Sequence, residues 1–202
     1  MGQYYMPIVQ ATKITKKRKL VKKMFAFNIA DLNESKKITG HCEFESLISK
    51  IVSNFMVQLN KDGFDTQLVW LGDYAQHSFT PGKDLYDRMK YKTVKLHFDI
   101  HLDKMVIDGV TPFKINSRHY FLINREKNEY VSLESYAGSC CPLILLTADG
   151  NGKGGGDYFG NDFEYVGRWK YDTIVITDTL THESNLCSEI PMREIKPNFS
   201  FD

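Results

Sequence analysis

The sequence predicts an α+β fold, a mainly antiparallel β-sheet with one long amphipathic helix packed on it. Three observations carry this. Several segments alternate apolar and polar residues with period two, and one long stretch repeats apolar residues at helical spacing. Strands and helices also do not alternate regularly, as a parallel βαβ sheet would require. Thirteen Phe and eleven Tyr suit a sheet, because flat rings pack well on a pleated surface.

Taken in order, "YYMPIVQA" and "KMFAFNIA" read as two strands joined across a lysine-rich segment. In "EFESLISKIVSNFMVQLNKDGF", Phe44, Leu47, Ile48, Ile51, Phe55 and Leu59 recur every three or four residues, which predicts the helix. Gly63 follows as its C-terminal stop. "TQLVWLGDYA" is a strand rich in β-branched and aromatic residues, with Trp70 expected in the core, and "KDLYDRMK" suggests a short second helix. In "VKLHFDIHLD" (94–103), Leu96, Phe98, Ile100 and Leu102 alternate with His97, Asp99, His101 and Asp103, the pattern of a half-buried strand. "SRHYFLIN" and "EYVSLES" flank a polar turn at 125–128 and read as a hairpin. "YDTIVITDT" is a last strand, and about residues 180–202 are expected to be irregular. With no internal repeat or low-complexity linker, residues 1–202 are expected to form a single domain.

The formal net charge of +1 hides an asymmetry. Residues 1–30 contain Lys13, Lys16, Lys17, Arg18, Lys19, Lys22 and Lys23 and no acid, so the rest of the chain carries 19 basic against 25 acidic residues. Such an arm can neutralise phosphates, or it can be a solvated loop between two strands. No apolar run is long enough to span a bilayer, and "MGQYYMPIVQ" lacks the basic-then-apolar order of a signal peptide. Cys42, Cys140, Cys141 and Cys187 show no metal or redox spacing and are expected to be reduced thiols. A soluble cytoplasmic protein, with no membrane association, is the expectation.

"LLTADGNGKGGGDYFG" places six glycines in eleven residues. Gly150-x-Gly152-x-x-Gly155 meets the letter of the dinucleotide fingerprint, but no helical pattern follows to point its N-terminus at a pyrophosphate. A calcium loop fails at Lys153, which stands where a carboxylate should ligate, and at Gly160 in place of the terminal Glu. Successive glycine N–H groups can still converge on an anion. The candidate ligand-binding set is therefore Asp149, Gly150, Asn151, Gly152, Lys153, Gly154, Gly155, Gly156, Asp157 and Tyr158, joined by Asp73 and Tyr74 from a strand end. A mobile hairpin tip with no ligand explains the same glycines, and Asp73 can equally cap the turn after Gly72. His97, Asp99 and His101 could share a metal, or simply form the polar face of an exposed strand. No established nucleophile, zinc or paired-carboxylate motif is present, so binding is expected rather than catalysis, and no cofactor is expected.

Three local patterns occur together: "MGQYY" at the start, "VWLGDYA" in the centre, and "PLILLTADGNGKGGGDYFG" followed by "VGRWKYDTIVI". In them the chain resembles a family of small, uncharacterised proteins of bacteria, their phages and mobile elements. The resemblance implies a small accessory protein made in the cytoplasm of a bacterial host, encoded by a phage or mobile element, and brings no catalytic role with it. The function expected first is capture of a small anionic, nucleotide-like ligand by the glycine-rich loop. The alternative is an interaction or inhibitor protein that masks a host protein or nucleic acid through Lys16, Lys17, Arg18 and Lys19, or through the histidine face of 94–103. A metal-dependent hydrolase is the third reading.

Overall fold

In the computed structural model, residues 4–28, 47–74, 85–90, 92–107, 110–114, 121–132, 145–146, 163–177 and 192–195 are described. β1 (Tyr5–Ile14), β2 (Leu20–Ala26) and β3 (Asp65–Gly72) form an antiparallel sheet with β1 in the middle. β4 (His97–Asp99) and β5 (Lys104–Val106) make a small separate hairpin. β6 (Phe121–Asn124), β7 (Glu129–Ser132), β8 (Ile174–Thr177) and β9 (Arg193–Glu194) form a second sheet in the order β8-β6-β7-β9, antiparallel except for β7 and β9. The expected α+β class, mainly antiparallel, is what the structure has.

The two larger sheets meet edge to edge. Gln67 and Thr173 form an antiparallel bridge between β3 and the start of β8. Thr66 Oγ1 donates to the Ile174 carbonyl at 2.6 Å, and Gln67 Nε2 to the Tyr171 carbonyl at 2.8 Å. Side chains thus continue a hydrogen-bonded seam that the backbone ladder leaves short, satisfying polar groups at a buried edge.

Helix α1 (Leu47–Lys61) crosses one face of this joined surface, against β8, β3 and β1. Ile51, Val52, Phe55, Met56 and Leu59 are buried, the stripe that helical periodicity requires. Phe55 lies at its centre, edge-on to Phe25 and Phe27 with ring centroids 4.8 and 5.3 Å away. One core cluster contains α1, both sheets and Trp70 and Trp169. The helix ends as Gly63 dictates: at φ 78° the chain turns left-handed, Phe64 N donates to Leu59 O at 3.0 Å, and Gly63 N donates to Asn60 O at 2.9 Å. This is a Schellman cap, which satisfies carbonyls the helix leaves open.

β1 is buried on both faces. Tyr5, Val9 and Ala11 belong to the cluster under α1, whereas Met6 and Ile8 join Ala26, Val69, Leu71 and Met89 on the reverse. Met89 comes from the short helix α2 (Leu85–Met89), as "KDLYDRMK" predicts. The 125–128 turn also matches expectation, with Asn124 opposite Glu129 and Asn128 at φ 53°.

Residues 94–103 depart from it. The strand stops at Asp99, whose Oδ1 accepts from the backbone N–H groups of His101 and Leu102 at 2.9 and 3.2 Å and folds the chain into a turn. Phe98, Ile100 and Leu102 are consequently exposed instead of forming a buried stripe. An Asx turn competes with the ladder, and here it wins because the partner strand β5 returns at once. Within the C-terminal region, residues expected to be irregular supply β9, and Ile195 is buried. No helix among the described residues is long and apolar enough to cross a membrane.

Candidate functional site

The basic segment is the tip of the β1–β2 hairpin. Pairing runs from Ile8↔Ala26 out to Ile14↔Leu20, and Lys16, Lys17 and Arg18 form the loop. Thr15 N donates to Lys19 O at 3.0 Å, Arg18 N to Thr15 O at 2.8 Å, and Lys19 N to Thr15 Oγ1 at 3.1 Å. This is a three-residue connection, a type I turn followed by one left-handed residue. That left-handed residue is Arg18, at φ 57°. Glycine is the usual occupant of such a position because a Cβ there crowds the backbone.

The hairpin outruns its neighbour. β3 stops pairing with β1 at Thr12↔Asp65, so the ribbon beyond Lys13 has no third strand among the described residues. Its base is fastened to the end of α1. Lys13 Nζ donates to the Asp62 carbonyl, and the ammonium groups of Lys13 and Lys23 stand 5.3 and 5.4 Å from the Phe64 ring centroid. A cation over an aromatic face and beside helix C-terminal carbonyls is favourably placed on both counts. Two of the seven bases are therefore structural.

The other five, Lys16, Lys17, Arg18, Lys19 and Lys22, are exposed, and none is in an ion pair among the described residues. Ile14 and Leu20 face each other across the ribbon at 73% and 62% exposure. By strand alternation they share a face with Lys22, while Lys13 and Lys23 lie on the opposite face. The tip thus presents a cationic rim around an exposed aliphatic pair.

Asp73 and Tyr74 sit just past β3. The Asp73 carboxylate accepts from Tyr4 N at 3.1 Å, and Asp73 N donates to Tyr4 O at 2.9 Å, so the residue closes the end of the β1–β3 ladder. Its charge adds to burial in pushing the Tyr86 hydroxyl up from its usual pKa. Asp149, Gly150, Asn151, Gly152, Lys153, Gly154, Gly155, Gly156, Asp157 and Tyr158 lie outside the described residues, as do all four cysteines. The chain enters that segment from buried Leu145 and Leu146, with Leu145 O accepting from Trp169 N at 2.8 Å. His97 and Asp99 are on β4, whereas His101 lies in the following turn, so the three do not share one strand face. No group of three His, Cys, Asp or Glu placed to hold a metal occurs among the described residues.

One ionic cluster has no sequence signature. Glu129 is buried in β7 and receives Arg168 Nη2 at 2.6 Å, Arg168 Nε at 3.2 Å, Trp169 Nε1 at 3.0 Å, and the Arg193 guanidinium. Burial is the largest single influence and pushes the carboxyl pKa up. The three donors together outweigh it and hold the pKa below the usual glutamate range. The partners lie 39 to 64 residues away in the chain, beyond the reach of any spacing rule. The cluster clamps β9 and the segment after residue 163 onto β7.

No protein-family model, curated protein or solved structure matches this chain significantly.

Proposed function

We propose that this chain is an interaction protein that docks the tip of its β1–β2 hairpin on an anionic macromolecule. The observation that carries the reading is Arg18. A turn position that favours glycine holds a bulky cation instead, flanked by Lys16, Lys17 and Lys19 and left without an acidic partner among the described residues. Backbone strain retained at an exposed tip, with no packing gain there, is a reason to look for function. The fastened base supports the same reading, because Lys13, Lys23 and Phe64 tie the base of the two-stranded ribbon to the chain just past the helix end. A ribbon held in place loses less entropy on docking than a free arm would. An accessory role inside a bacterial cell, which the sequence resemblance implies, is compatible with this mode of action.

The test is retention on a heparin column, a generic polyanion, by the whole chain. The wild type is expected to elute at clearly higher salt than a Lys16→Glu/Lys17→Glu/Lys19→Glu variant of equal thermal stability. Equal elution of the two would remove the hairpin from the account.

A further inference from the structure

We infer that the macromolecule is duplex DNA and that the hairpin tip enters its major groove, with Ile14 and Leu20 against base edges and the cations against both phosphate rows. This rests on the polyanion reading above and narrows it. Four features of the tip point to a duplex groove.

The first is where the charge lies. A membrane or a flat acidic protein surface meets one side of a ribbon. Here Lys16, Lys17, Arg18 and Lys19 surround the end and Lys22 continues the charge along one strand, while Lys13 and Lys23 stay with Phe64 at the base. Cations that ring an end, instead of covering one broad face, suit a slot with anions on both walls. The second is size. The free ribbon from Thr12 to the tip is roughly 15 Å long at about 3.3 Å per residue. A B-form major groove is about 12 Å wide and 8.5 Å deep and admits a two-stranded β-ribbon, whereas the A-form RNA groove is too narrow. The third is the lack of any aromatic residue between Ala11 and Lys23. Single-stranded nucleic acids are held mainly by base stacking on aromatic rings, and this tip has none to offer. The fourth is the aliphatic pair itself. Two exposed β-strand side chains opposite each other, with nothing polar to donate, can read one feature of the major groove, the thymine 5-methyl group.

The test uses the full chain and a fluorescein-labelled 20-base-pair A·T-rich duplex, read by fluorescence anisotropy over a salt series. Expected is binding whose log K falls against log salt with a slope of about −4, as four or five phosphate contacts give. Replacing every thymidine by deoxyuridine removes only the methyl groups. It should weaken wild-type binding about three- to fivefold for each methyl contacted, while leaving the slope unchanged. An Ile14→Ser/Leu20→Ser variant should be equally weakened and indifferent to the deoxyuridine change. The ligand-side substitution needs no altered protein, so it stands even if the variant folds poorly.

Duplex binding that ignores both the deoxyuridine change and the Ile14/Leu20 substitutions would overturn groove insertion. Binding to phosphatidylserine vesicles or polyglutamate, with none to the duplex, would overturn the DNA assignment and leave the polyanion reading in place. Binding to none of the three would overturn both.

Discussion

Arg18→Gly separates what the fold prefers from what the proposed function needs. Arg18 sits at φ 57°, and a left-handed non-glycine residue costs roughly 1–2 kcal/mol. Glycine removes that strain but gives the unfolded chain more freedom, which takes back roughly 0.5–1 kcal/mol. The side chain is exposed and makes no ion pair among the described residues, so little contact energy is lost. The net expectation is a gain of about 0.5–1 kcal/mol. For a chain of this size that is a rise in Tm of about 1–4 °C. The same change removes one cation from the tip. Duplex affinity should fall, and the salt slope should become shallower by about 0.9, the signature of one lost phosphate contact. Differential scanning fluorimetry and a salt series on the same preparation give both numbers. A variant that is less stable would refute the strain argument, and one with unchanged slope would remove Arg18 from the binding surface.

Other outcomes follow from the packing. Phe55→Ala empties the centre of the aromatic cluster formed with Phe25 and Phe27, and should cost about 3–5 kcal/mol in chemical denaturation. Gly63→Ala puts a Cβ at φ 78° within 3.4 Å of Lys13 Nζ, and should cost about 1 kcal/mol by the same measurement. Glu129→Gln removes the buried carboxylate charge that pairs with partly buried Arg168 and should cost about 2 kcal/mol at neutral pH, with exposed Arg193 adding little. Because the folded-state pKa of Glu129 is lowered, its stabilisation is full above the unfolded value of about 4.3 and is lost as pH falls through the folded value. The gap in Tm between wild type and Glu129→Gln should therefore close below about pH 4; a gap that persists in acid would show that the carboxylate charge is not what stabilises.

How much was legible in the sequence depended on how local the cause was. Helix α1 was readable because Ile51, Phe55 and Leu59 repeat along one face and Gly63 stops it, all within one segment. The 125–128 hairpin was readable for the same reason, from two alternating runs around a polar turn. At 94–103 alternation misled, because Asp99 can satisfy two backbone N–H groups and end the strand, and period two is blind to a side-chain turn. The Glu129 cluster and the β3–β8 seam were invisible, since each joins residues dozens to more than a hundred positions apart. For the site, the run of seven bases was plain in the sequence, but its division into two structural cations and five with no ion pair among the described residues was not. That division comes from Phe64 reaching back to the hairpin base. Arg18's left-handed conformation was equally hidden, because nothing in "TKKRKL" marks which loop residue must carry a positive φ.

Hydrogen–deuterium exchange of the whole chain with and without a saturating A·T-rich duplex, read by mass spectrometry, decides whether the hairpin tip is the binding surface. Docking by the tip slows exchange in peptides covering residues 12–24 and leaves β3 and β7 unchanged. Protection that spares 12–24 and falls instead on the glycine-rich segment at 147–162 would contradict it, and would return the function to capture of an anion by that loop.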